Sequence, residues 1–95
     1  MPDTPPVTKL IRLRGRVQGV YYRESMCMKA AELGVPGWVL NRRDGTVEAM
    51  VQGNEDAMLR MLAWARIGPA AARIEEMVVE DGNGIYSGFE RRDTA

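Results

Sequence analysis

Twice in 95 residues, a stretch of strict period-two alternation gives way to helical spacing and then returns. In the first cycle, Lys9 to Val17 places Ile11, Leu13, Gly15 and Val17 on one face and Arg12, Arg14 and Arg16 on the other. That is the pattern of a strand with one buried and one wet face. The alternation breaks at Gln18 to Tyr22, around Gly19, where a loop is expected. Helical spacing runs from about Arg23 to Leu33, with Met26, Ala30 and Leu33 on a stripe and Cys27 and Ala31 beside it. Gly34 is a helix-ending glycine and Pro36 forbids continuation. Gly37 to Asn41 then reads as a second strand.

The second cycle starts from a turn. Asp44-Gly45 suits the positive φ angles of a hairpin connection, and Thr46 to Gln52 alternates again. Asn54 is a good N-cap, followed by Glu55 and Asp56 where the helix dipole favours negative charge. Met58, Met61, Leu62 and Ala65 repeat at helical spacing until Gly68-Pro69, a stripe of core methionines, with Trp64 expected to pack as well. Arg73 to Glu80 is a fourth strand, with a bulge expected where Met77-Val78-Val79 blurs the alternation. Ile85 to Arg92 is a fifth, around Phe89. The order βαββαβ with an added terminal strand predicts an α+β, ferredoxin-like sandwich. In it, two helices cover one face of a mostly antiparallel sheet and the arginine-rich face stays wet. Residues 1–8, proline-rich at the start, are expected to form a flexible tail before one domain spanning 9–95.

Thirteen basic and thirteen acidic residues cancel, which argues against a nucleic-acid binder. The cancellation hides a segregation. From Lys9 to Arg43, eight basic residues face only Glu24 and Glu32, a net of +6; from Asp44 to Glu90, nine acidic residues outweigh Arg60, Arg66 and Arg73, a net of −6. Either these are solvated strand faces of different sign, or the first half attracts a small anion. Cys27 is the only cysteine and there is no histidine, so neither an internal disulfide nor a histidine-activated thiol is expected. Together with the lack of a signal-like apolar segment or a span of about 20 apolar residues, this points to a cytoplasmic protein away from membranes.

The segment that carries chemistry is Gly15-Arg16-Val17-Gln18-Gly19-Val20-Tyr21-Tyr22-Arg23. A strand runs through a glycine-containing loop into a helix start, where loop amides and the positive helix end can converge on an anion. Arg23 adds a planar cation able to grip two phosphate oxygens. The same residues could also form an ordinary tight connection. Asn41, at a strand end, either eases the chain into the hairpin or holds a water molecule with its carboxamide.

Gly15 to Arg23 and Gly37-Trp38-Val39-Leu40-Asn41-Arg42-Arg43-Asp44-Gly45-Thr46-Val47 together closely resemble the two signatures of the acylphosphatase family. The resemblance extends to Leu33-Gly34-Val35, Gly53 and Gly68-Pro69 and covers nearly the whole chain beyond the tail. It implies hydrolysis of a carboxyl-phosphate anhydride without metal or other cofactor. Arg23 would be the phosphate-binding arginine, Val17, Gln18, Gly19, Val20, Tyr21 and Tyr22 the backbone cradle, and Asn41 the residue orienting the attacking water. Family members often carry phenylalanine near Tyr21 and Tyr22, and Arg42-Arg43 is unusually basic; exposed turn charges are the expected reading of that pair. The chemistry needs no histidine, because the leaving carboxylate has a conjugate acid of pKa about 4. A small-molecule substrate and a monomer are expected. The rival readings are an RNA-binding module, which would show stacking aromatics on its sheet, and an inactive regulatory module, which would be expected to lose Arg23 or Asn41. The family resemblance also reaches domains that open long carbamoyl-transfer maturation proteins, whose zinc-finger cysteines are absent here.

Overall fold

A computed structural model describes residues 6–95. Its elements are β1 (Val7–Arg16), α1 (Tyr22–Leu33), β2 (Gly37–Asn41), β3 (Val47–Gly53), α2 (Glu55–Ile67), β4 (Arg73–Asp81) and β5 (Phe89–Arg91). The sheet order is β4-β1-β3-β2-β5, antiparallel throughout except for the parallel β2–β5 pair. This is the ferredoxin-like arrangement expected. No helix among the described residues is long and apolar enough to cross a membrane.

The first strand begins earlier than its alternation suggested, because Val7 and Thr8 pair with Gly53 and Gln52. The remaining part of the expected tail, residues 1–5, lies outside the described residues. Ile11 and Leu13 of β1, Val39 of β2 and Val47, Ala49 and Val51 of β3 are buried on one sheet face. Met26 and Ala30 of α1 and Met58, Met61 and Ala65 of α2 close that core. Fully burying a methionine of this kind contributes about 1.5–3 kcal/mol. The methionine stripe is therefore core.

The buried stripe of α1 is Tyr22, Met26 and Ala30, spaced by four, while Leu33 and Cys27 are half-buried and Ala31 is exposed. The helix begins one residue before the expected Arg23 because Tyr22 belongs to the core. Its ring lies 5.4 Å from that of Trp64, and its hydroxyl donates to the Ala65 carbonyl at 2.7 Å. That carbonyl would ordinarily accept from the amide four residues on, but that residue is Pro69, which has no N–H. Tyr22 thus closes the C-terminal end of α2 and fastens the two helices together. Burial pushes the phenol's pKa well up, so the hydroxyl stays a donor.

The charge segregation resolves into strand pairing. Arg12 stands opposite Glu48 of β3 and bonds it at 3.0 Å, and it also lies 3.8 Å from Glu80 of β4. Arg14 reaches Glu75 and Glu76 of β4, and Lys9 reaches Asp81. Arg12 and Arg14 thus meet acidic residues of β3 and β4 on the open sheet face, a mosaic of cross-strand ion pairs. Lys9, in alternation with Ile11 and Leu13, makes its pair on the other side.

Two expectations about the end of the chain need correction. Met77, Val78 and Val79 pair in regular register with Leu13, Arg12 and Ile11. The irregularity falls earlier, where Arg14 faces Glu76 and Gly15 faces Ile74, leaving Glu75 as the additional residue. Gly15, at φ 132, permits it, since a Cβ there would overlap the Arg73 carbonyl oxygen. The blurred alternation reflects an edge strand, whose outer side leaves Val78 40% exposed. The fifth strand is only Phe89–Arg91 rather than Ile85 to Arg92. The preceding chain is held instead by Gln52, whose amide donates to the Gly84 carbonyl and accepts from the Tyr86 N–H.

Candidate active site

Where β1 ends, Val17 and Val20 drop into the core, and Gln18 and Gly19 between them form the bend. Gly19 has φ 74, and Tyr21 has φ 62 with ψ 29, the one non-glycine residue in the left-handed region among those described. Such a conformation costs a residue with a Cβ on the order of 1 kcal/mol or more and persists only where the surroundings enforce it. Here Val20 and Tyr22 are both buried, and Tyr21 is carried outward between them, 77% exposed.

The consequence is an open helix end. Tyr21 is the N-cap of α1 and makes no side-chain capping bond. The contrast is α2, whose N-cap Asn54 accepts from the Ala57 N–H at 2.7 Å. The first-turn amides of α1 therefore keep donors that no capping side chain has taken, at the positive end of the helix dipole.

That end opens onto a cavity of about 340 Å³ lined by Val17, Gln18, Gly19, Tyr21, Tyr22, Arg23, Glu24, Asn41 and Arg91. Of the residues expected at the site, Arg23, Asn41 and all of the loop except Val20 line this one space. Val20 points inward and can contribute only through its backbone. Tyr22 likewise spends its side chain on the core. Arg23 is anchored: one terminal amino group donates to the Arg92 carbonyl at 2.9 Å, leaving further donors for a ligand. Asn41 ends β2, and its carbonyl accepts from the Ala95 N–H.

Gln18 does something the sequence did not indicate. Its carboxamide donates to both the Arg42 and the Thr46 carbonyls, at 2.7 and 2.8 Å. It therefore pins the loop after β1 to the β2–β3 hairpin, and so holds Asn41 and the loop at a fixed separation. The hairpin is braced again by Asp44, which accepts from both the N–H and the hydroxyl of Thr46. These bonds hold the Asp44 carboxyl below its usual pKa.

Arg42 and Arg43 do not line the cavity. Arg42 instead reaches the buried Glu48 at 3.3 Å, as part of the charge mosaic. Two lining residues were missed. Glu24 follows Arg23 directly and carried no motif of its own; Arg91 could be placed only once β5 was paired parallel to β2. The two form an ion pair at 2.6 Å. Cys27, one turn beyond Arg23 on α1, has its thiol pKa raised by burial and by Glu24, with Arg91 and Arg23 opposing. It is a packed thiol, as its neighbours suggested. No group of three or more histidine, cysteine, aspartate or glutamate side chains is placed to hold a metal ion among the described residues.

A strand end, a glycine loop, an uncapped helix end, an arginine and an asparagine thus line one cavity. Residues 9–91 match the model of the acylphosphatase family. The chain belongs to that family. An acylphosphatase of Thiobacillus denitrificans is 51% identical over 82 residues, covering 86% of this chain and 92% of that protein. One from Acidovorax is 48% identical over 89 residues, covering 93% and 92%. The solved acylphosphatase from Coxiella burnetii superposes with a TM-score of 0.89 at 33% identity, over 97% of this chain and all of that one. Family and fold both agree with the resemblance read from the two signatures.

Proposed function

We propose that this chain hydrolyses acyl phosphates by in-line attack of water, with Arg23 and the loop amides holding the phosphoryl group and Asn41 holding the water. The reaction is the one the family name states. The observation that carries the division of roles is that Arg23, Asn41 and the loop from Val17 to Tyr22, Val20 excepted, line a single cavity beside the uncapped end of α1.

Negative charge spreads over the phosphoryl oxygens in the transition state, and catalysis rests on positioning and on donors aimed at that charge. Arg23, fixed by its bond to Arg92, offers its remaining donors to two of those oxygens. The backbone amides from Gly19 to Arg23 share the rest. Asn41 can accept a hydrogen bond from the water through its side-chain carbonyl oxygen and so direct the water's lone pair at phosphorus. The P–O bond to the acyl group breaks as the new P–O bond forms, and the carboxylate departs with the bonding pair. A proton from the water passes to a phosphoryl oxygen, since the described lining offers no histidine and Glu24 is engaged by Arg91. Inorganic phosphate and a carboxylic acid anion result. No resident metal or cofactor is called on at any step. The small size of the cavity supports a small-molecule substrate, the balanced charge a role without nucleic acid, and the lone unpaired cysteine a cytoplasmic setting. A monomer is the simplest assembly for this reading.

The test is steady-state hydrolysis of benzoyl phosphate, with EDTA present, by the wild type, Arg23→Ala and Asn41→Ala. Two charge-assisted bonds at roughly 1.5–3 kcal/mol each, with ~1.4 kcal/mol per decade, put the Arg23→Ala loss at about three decades. Misplacing the water should cost Asn41→Ala on the order of 100-fold. A folded Arg23→Ala variant near wild-type rate would refute the cradle assignment. A folded but inert wild type would leave the regulatory-module reading.

A further inference from the structure

The last residue of β5, Arg91, and the next residue, Arg92, point to opposite sides of the sheet. The Arg92 guanidinium lies over the Trp38 ring on the open face, 4.9 Å from its centroid. Arg91, one residue earlier in the alternation, turns to the helix side, where it meets Glu24 and enters the wall of the cavity that also holds Arg23 and Asn41. The site therefore contains a second cation that phosphate binding, as derived above, does not use. Glu24 approaches Arg91 at Nε, and among the described residues it is that guanidinium's one ion-pair partner. The two terminal amino groups remain as a flat pair of donors, the geometry that meets a carboxylate or phosphate in two parallel bonds. Both side chains are about half exposed, so a substrate group can reach them. A cavity of about 340 Å³ falls at the lower end of small-molecule sites, roughly 300–1,000 Å³, and leaves room beyond a phosphoryl group for an acyl portion.

We propose that Arg91 is a specificity-determining residue that favours acyl phosphates carrying a second anionic group on the acyl portion, with Glu24 holding its guanidinium toward the cavity. The inference rests on the acyl-phosphate reading and sharpens it. Arg23 takes the phosphoryl end, and Arg91 takes the far anion. Glu24 has two opposed effects: it orients Arg91, and its charge tempers the attraction for any anion. Removing that charge without shortening the side chain strengthens the preference.

The experiment compares kcat/KM for benzoyl phosphate with kcat/KM for its meta- and para-carboxy derivatives. The ratio of carboxylated to plain substrate is read for wild type, Arg91→Met and Glu24→Gln, at low and high salt. A half-exposed ion pair is worth up to about 1 kcal/mol, so the ratio for the better carboxylated substrate should fall about fivefold in Arg91→Met. It should rise in Glu24→Gln, and high salt should compress both differences. If Arg91 only staples β5 to α1, or only adds a further bond to the phosphoryl group, Arg91→Met slows all three substrates alike. An unchanged ratio overturns the proposal, and so does a Glu24→Gln ratio that falls. A wild type that hydrolyses benzoyl phosphate with a flat ratio in every variant overturns this inference alone. A folded wild type inert on all three overturns the acyl-phosphate reading and this inference with it.

Discussion

Replacing Gln18 by alanine separates the two halves of the site without touching a group that contacts substrate through its side chain. The native carboxamide donates to the carbonyls of Arg42 and Thr46, on either side of the hairpin turn. A net intramolecular hydrogen bond contributes about 0.5–1.5 kcal/mol, so two contribute about 1–3 kcal/mol. Gln18 is only half-buried and water can replace part of each bond, which places the stability loss near the low end, at about 1–1.5 kcal/mol. The catalytic loss should exceed what that figure implies for folding, because at a few molar below the midpoint the protein stays folded while the hairpin drifts. A displacement of Asn41 on the order of 1 Å costs up to about 100-fold in rate. Urea unfolding followed by tryptophan fluorescence gives the first quantity, and benzoyl phosphate turnover gives the second. Gln18→Glu sharpens the comparison, because it keeps the length and acceptors but points a carboxylate at two carbonyl oxygens. It should be at least as impaired as the alanine variant at neutral pH. If Gln18→Ala lost less than about 0.3 kcal/mol and kept kcat within about twofold, the clamp would be incidental and Asn41 would be held by the strand alone.

Three further outcomes are expected. Tyr22→Phe leaves the Ala65 carbonyl with no donor beside a proline, and should cost about 1–3 kcal/mol in urea unfolding with little change in the m-value; a cost under about 0.5 kcal/mol would mean water reaches that carbonyl. Gly15→Ala must both leave φ 132 and clear the Arg73 carbonyl, so a loss of about 2 kcal/mol or more, or failure to fold, is expected by circular dichroism, and a neutral effect would contradict the bulge geometry. Asp44 has its folded pKa lowered by its Thr46 bonds. Its contribution to the hairpin is therefore complete above the ordinary value of 3.8 and is lost as pH falls through the lower folded value. An NMR titration of the Thr46 amide should give a midpoint below 3.8 that moves up in Thr46→Val; a midpoint at or above 3.8 would refute the bond's role.

Most of the fold was legible because its signals are local. Gly34 and Pro36 end one helix, Asn54 starts the other, and Asp44-Gly45 turns the hairpin, each through backbone chemistry that a single position dictates. The signals that failed were those set by partners. The bulge is decided by Gly15 meeting the Arg73 carbonyl across two strands, so nothing within Met77-Val78-Val79 could place it. Arg91 became visible as a wall of the site only through the parallel register of β5 on β2. The roles of Tyr22 and Gln18 were hidden for a similar reason. Their side chains satisfy carbonyls in α2 and the hairpin, at sequence distances of 43 and 24–28 residues. Arg23, Asn41 and the loop were singled out by motif, and all of them but Val20 line one cavity.

The place of β1 in the sheet has a consequence for the order in which the molecule can come into being. The first strand to be made is an interior one, zipped on one side to β3 and on the other to β4. A chain growing from its N-terminus holds Arg23 and Asn41 after less than half of its length. Yet the loop that bears the cradle hangs from a strand with a bare edge until Arg73–Asp81 has been made. Arg23 waits longer still, since the carbonyl that anchors it belongs to Arg92. Contacts this distant along the chain form late. No nascent fragment ending at α2 should bind phosphate as the full chain does, and the site should appear only as the last strands dock.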